Sequence, residues 1–168
     1  MNTEKLKQKL IDDVEVIRLL KVAQKFGTKV YFDSEISWNC SSYLPESNNI
    51  QIGLLRKRLI DGSIGISYEK ISDADLYLKV IFVLAHEIAH LFTEKYHSND
   101  ANETKLPIEL NTHKVAIELL SKEFLSKNLK AYLEFSYEEI NTYVNSYLNE
   151  LKAKDRAQEL SKQKGFTV

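Results

Sequence analysis

The stretch of this chain whose residue types and spacing could do chemistry is His86-Glu87-Ile88-Ala89-His90. Residues four apart on a helix lie on one face, so His86 and His90 can present two imidazoles to a single metal ion. Glu87 lies beside them, near the metal without having to bind it, and there it can take a proton from a metal-bound water. Zinc lowers the pKa of such a water to about 7, which makes hydroxide available at neutral pH. Two ligands and a general base thus fit within little more than one helical turn. The bland alternative is a pair of hydrogen-bonded histidines on a core-facing helix. It is the weaker reading, because two imidazoles and a carboxylate following Val80-Ile-Phe-Val-Leu-Ala85 are costly to bury unless a partner neutralises them.

A catalytic zinc site takes a third protein ligand and keeps a fourth position open. Glu109 is the leading candidate: it opens the next helix in the chain, and the intervening loop can fold back to deliver it. Its ordinary role would be a first-turn carboxylate favoured by the helix dipole. Glu103, in the loop, and Glu118, further along the helix, are its rivals. His113 follows Glu109 by four residues and shares its face, as an orienting partner of a ligand, a transition-state donor or, as third choice, a ligand itself. Tyr96 and His97 are further candidates for the donor that steadies an oxyanion.

The elements that must position these residues can be read from periodicity. Leu6, Leu10, Val14, Ile17 and Leu20 predict one amphipathic helix over residues 3–26, with Gly27 placed to end it. A short β-rich run, Lys29 to Phe32, precedes a hairpin: Cys40 to Leu44, a turn over Pro45 to Asn49, then Ile50 to Leu54. Arg56-Lys57-Arg58 reads as a solvated strand end or loop rather than a nucleic-acid patch. Asp61-Gly62 signals a tight turn before another short strand, Ser63 to Tyr68. Ser72, with Asp75 three residues on, caps the apolar Leu76–Phe92 helix that carries the motif. A polar loop, Lys95 to Lys105, leads to a helix with Pro107 in its first turn. Ser136 followed by Glu139 predicts the start of a last helix, apolar at Ile140, Val144, Tyr147 and Leu151, whose charged tail frays from about residue 153. The expected fold is α+β, a small, mainly antiparallel sheet packed by helices. The site then lies between the motif helix and the Glu109 helix.

Composition bounds the rest. At 168 residues with 43% hydrophobic and 28% charged side chains, residues 1–168 read as a single domain able to bury a core. A net charge of −1 argues against a protein built to grip nucleic-acid phosphates, and Lys152 to Lys164 alternates with Glu and Asp. Cys40 is the lone cysteine, so no internal disulfide framework exists. Val80 to Ala85 is far shorter than a membrane span, and Met1 to Leu10 lacks the apolar core of a secretion signal. The expectation is a cytoplasmic protein with no membrane partner.

The motifs resemble those of the ImmA/IrrE-type metallopeptidases of bacteria, phages and mobile elements. Those proteins follow a helix and small sheet with an H-E-x-x-H helix and a second helix that opens on a glutamate. The second element, typically Glu-x-x-Ala-x-x-Phe-Ala-x-x-Leu-Leu, is similar to Glu109-Leu-Asn-Thr-His-Lys-Val-Ala116-Ile-Glu-Leu-Leu120. Ser41 to Ile50 is similar to the family's hairpin, and Tyr132 to Ile140 to its segment of an apolar residue, a Ser and then a helix. Ala89 stands where Gly is usual, and His113 where Asn or Asp is common. The resemblance implies a zincin-like fold with Zn2+ on His86, His90 and Glu109, and Glu87 as base. It also implies an endopeptidase of narrow regulatory specificity, whose target is often a helix-turn-helix repressor. An extended substrate would pair with an edge strand, expected at Ile50 to Leu54. The competing reading is a non-proteolytic zinc-binding regulatory protein that keeps the fold. Glu87 argues against it, because zinc binding alone does not require a base there.

Overall fold

The computed structural model describes residues 1–59, 66–68, 71–93 and 105–163. Two helices open the chain, α1 (Thr3–Ile11) and α2 (Val14–Lys25), where the periodicity predicts one. The break is chemical. The Asp13 carboxylate accepts the N–H groups of Glu15 and Val16 at 2.8 and 3.1 Å, capping a new helix instead of continuing the old one. The buried face shifts with the break, to Leu6, Leu10, Val16, Leu19 and Ala23, and Val14 is left 81% exposed. Gly27, at φ +68°, ends α2 in the left-handed conformation that favours glycine, as expected.

Three strands follow: β1 (Lys29–Ser37), β2 (Ser42–Leu44) and β3 (Asn49–Leu55), with a 3-10 turn at Trp38–Cys40 between the first two. The hairpin β2–β3 is antiparallel, with Tyr43 opposite Ile50. The longer pairing, β1 with β3, is parallel and sets Val30 beside Ile50 and Phe32 beside Ile52. The sheet is therefore mixed, in the order β1-β3-β2, rather than mainly antiparallel. β3 enters between the two strands that precede it, so Ile50 to Leu54 is the central strand and not an edge. Its Ile50, Ile52 and Leu54 are buried, while a Cβ on Gly53 would lie 2.1 Å from the Ser37 carbonyl oxygen. Only glycine admits that approach of β1. A second antiparallel pair, β4 (Lys57–Leu59) and β5 (Ile66–Tyr68), lies beyond it. The Asp61-Gly62 turn falls outside the described residues. Arg56, from the basic cluster, is held by the Asp73 carboxylate and the Ile71 carbonyl.

Helix α3 (Asp73–Thr93) is the core of the molecule. Ser72 caps it, its Oγ accepting the Asp75 N–H at 3.1 Å and donating to the Asp75 carboxylate at 2.7 Å. Val80, Ile81, Phe82, Leu84, Ala85, Ile88 and Ala89 are all within 1% of full burial. Each large side chain among them contributes about 1.5–3 kcal/mol. By length and composition α3 could cross a membrane, but most of it is buried within the fold, as in the core helix of a packed domain.

Helix α4 (Lys105–Leu119) packs along α3, and α5 (Lys122–Gln163) follows, kinked at Asn128. The N-terminus of α5 is Ser121, whose Oγ accepts the Phe124 N–H at 3.2 Å, and not Ser136. Ser136 is buried in mid-helix because Tyr132 and Phe135, on the same side of α5, pack edge-on and tilted against Phe82. Packing overrides the local capping signal there. The charged stretch beyond residue 153 continues the helix to Gln163.

Candidate metal centre

Two helices build the site. Helix α3 supplies His86, Glu87 and His90 from one buried face, and α4 supplies Glu109 and His113, also four residues apart. Their register is fixed one turn further on, where the Thr93 and Thr112 hydroxyls lie 3.0 Å apart in the core. The Thr112 hydroxyl also lies 2.8 Å from the Ile108 carbonyl oxygen, to which it donates, so Thr93 is left to donate across the interface.

The Glu109 carboxylate reaches both motif histidines. Its Oε2 is 3.0 Å from His86 Nε2, and its Oε1 is 3.7 Å from His90 Nε2. Ligands about 2.0–2.1 Å from a tetrahedral zinc are about 3.3 Å from one another, a value that lies between these two separations. Donor atoms of His86, Glu87 and His90 fall within 4.8 Å of each other. Glu109 Oε2 and His86 Nδ1 are buried without a hydrogen bond. A buried carboxylate that faces two imidazole nitrogens at 3.0 and 3.7 Å suits a cation held among them. Two imidazoles and one carboxylate are also a donor set that zinc accepts.

The charges are coupled. Burial disfavours a charged His86, but Glu109, Glu87 and Glu139 more than offset it and hold its pKa above the ordinary value. Burial likewise works against an ionised Glu109, and the three surrounding imidazoles bring its pKa below the usual carboxylate range. His113 is pushed down to about 4, by burial first and then by the His86 charge. Glu87 is pushed up to about 7 by burial, with His86 and the Tyr43 N–H pulling the other way. That N–H, on β2, donates to Glu87 Oε2 at 2.8 Å.

The structure thus brings together Glu87, His86, His90, Glu109 and His113. Glu118 is exposed on the outer side of α4. Glu103, Tyr96 and His97 lie outside the described residues. Sequence reasoning missed Glu139, which with Trp38, Asn39, Ser41 and Phe135 lines a cavity of about 50 Å³ opening on His86 and Glu87. Phe135 and Glu139 are four residues apart, so a helix already running through Ser136 would have put them on one face. The Tyr43 N–H and the Thr93–Thr112 contact had no local signal at all. No protein-family model, curated protein or solved structure matches this chain.

Proposed function

We propose that the chain is a zinc-dependent endopeptidase of narrow regulatory specificity, zincin-like in its active-site helix and of the ImmA/IrrE kind that its motifs resemble. The observation that carries the reading is the Glu109 carboxylate reaching both His86 and His90, with Glu87 beside them. Zinc held by His86, His90 and Glu109 would polarise the scissile carbonyl and make a bound water acidic. Glu87 takes the proton of the attacking water and returns it to the leaving amine. The Tyr43 N–H holds one carboxylate oxygen of Glu87, which leaves the other to take the proton. With β3 covered on both sides, the substrate strand is assigned to β2, whose Tyr43 already reaches Glu87. The resemblance supports a cytoplasmic helix-turn-helix repressor as the target.

The test is metal content and cleavage together. Purified protein is expected to hold about one zinc per chain, lost in both His86→Ala and Glu109→Ala. Glu87→Gln should keep the metal and lose cleavage of a repressor encoded beside it. Zinc retained by Glu109→Ala would remove the third ligand from the reading. Metal bound by the wild type without any Glu87-dependent cleavage would favour the non-proteolytic zinc protein.

A further inference from the structure

Across the α3–α4 contact, two pairs of residues four apart face each other: His86 with His90, and Glu109 with His113. The first three account for the metal ligands above, and the fourth has no partner. His113 is 4% exposed, more buried than either motif histidine, yet neither of its ring nitrogens makes a hydrogen bond. A buried polar group left without a partner is costly, so such a ring calls for one, and a metal ion is a partner that an imidazole nitrogen beside His86 suits. The ring centroid of His113 lies 4.5 Å from that of His86, close to the 4.8 Å between His86 and His90. Two imidazoles bound to one tetrahedral zinc have centroids about 5 Å apart, so the His113 ring lies within reach of an ion held by His86 after a small movement of the ring.

The alternative, that His113 orients His86, requires a hydrogen bond between the two rings. His86 Nδ1 makes none, and the rings pack at an interplanar angle of 50°. Nor is His113 placed to serve as a donor to substrate, being buried beneath His86 and α5, where the Tyr132 hydroxyl donates to its backbone carbonyl at 3.3 Å. On the metal reading of the site given above, we propose that His113 is a fourth protein ligand, closing in the resting chain the position that a catalytic metal keeps open. Hydrolysis then requires His113 to yield that position to water. The site is latent until the His113 side chain leaves the metal, with Glu109, one turn away on α4, staying bound.

The experiment loads the full chain with cobalt(II) as a spectroscopic substitute for zinc. Wild-type protein is expected to give the strong visible bands of a four-coordinate site without bound water, unchanged across the neutral pH range. His113→Ala should acquire a pH-dependent spectrum from a newly bound water and lose affinity by at least about 100-fold. Equal affinity and equal spectra for wild type and His113→Ala, with His86→Ala unable to bind, would overturn the fourth ligand and leave the metal site standing. A wild type that binds no cobalt would overturn both. Because His113→Ala removes a core side chain, a second measurement needs no variant. Wild-type protein carrying an NMR-active cadmium isotope and isotopically labelled histidine should show metal coupling to three imidazoles, and coupling to only two rejects the proposal.

Discussion

Glu87 is held in place by a single neutral donor, the Tyr43 N–H, and by charge from three directions: His86 on its own helix, Glu109 on α4 and Glu139 on α5. The two carboxylates disfavour its ionisation and the imidazole favours it. A like charge nearby raises the pKa of a carboxyl, so removing one lowers it. Glu139→Gln is therefore expected to move the acid limb of the kcat/KM profile to lower pH, by less than about one unit, with zinc content unchanged. An acid limb that stays in place would show that Glu139 does not act on the base. The motif itself was legible because a helix of known period turns residue spacing directly into geometry, and Glu109 because it falls early in the next helix, although α4 starts at Lys105 and places it beyond the first turn. Glu139 was not, since its nearness to Glu87 depends on how α5 crosses α3, which no short window of residues contains.

The helices are joined by one buried carboxylate. Glu15, in the first turn of α2, accepts the Ser121 N–H at 2.8 Å and the Ser121 hydroxyl at 2.6 Å, and also accepts from Arg18 at 2.6 Å. Ser121 is the residue that starts α5, so a side chain from the N-terminal helices fixes the corner between α4 and α5. Burial alone would raise the pKa of Glu15, but Arg18 and Ser121 bring it below its ordinary 4.5. The sign follows: this contact stabilises the fold fully above that value and is lost as pH falls through the lowered pKa. Glu15→Gln, which puts an amide against the same donors, should destabilise the protein by about 3 kcal/mol at neutral pH. The gap should narrow in urea unfolding as pH falls below the ordinary carboxylate value and through the lowered pKa, and a gap constant with pH would contradict the assignment. At this scale the capping signals misled in both directions. Asp13 was hidden inside an apolar repeat that seemed continuous, and Ser136 looked like a cap while Ser121, whose role depends on a residue 106 positions away, did not.

The whole molecule depends on pairings that are distant in sequence. The hairpin β2–β3 was legible because a four-residue turn joins its strands, whereas the parallel β1–β3 pairing requires the chain to return past the Trp38–Cys40 turn and insert a strand. Its tightest point is Gly53 against Ser37, so Gly53→Ala should cost about 3 kcal/mol in chemical denaturation. A cost well under about 1 kcal/mol would show that β1 can give way there. Distant pairing also explains why the metal should matter to the fold as a whole. α3 and α4 meet through Thr93 and Thr112 on one side and through Glu109 and the motif histidines on the other. The folded chain presents these ligands converged, and the unfolded chain holds Glu109 nineteen or more residues from the two histidines, so zinc binds the native state selectively. Free zinc at about 100 times its dissociation constant then adds about 2.7 kcal/mol. For a chain of this length that raises Tm by roughly 5–10 °C. Calorimetry with zinc and with excess chelator measures the difference directly. Glu109→Ala and His90→Ala should each lose nearly all of it, whereas Glu87→Gln should keep it, because the base lies outside the ligand set. An equal loss of the zinc-dependent shift in Glu87→Gln would move Glu87 from base to ligand and require a different residue to take the proton.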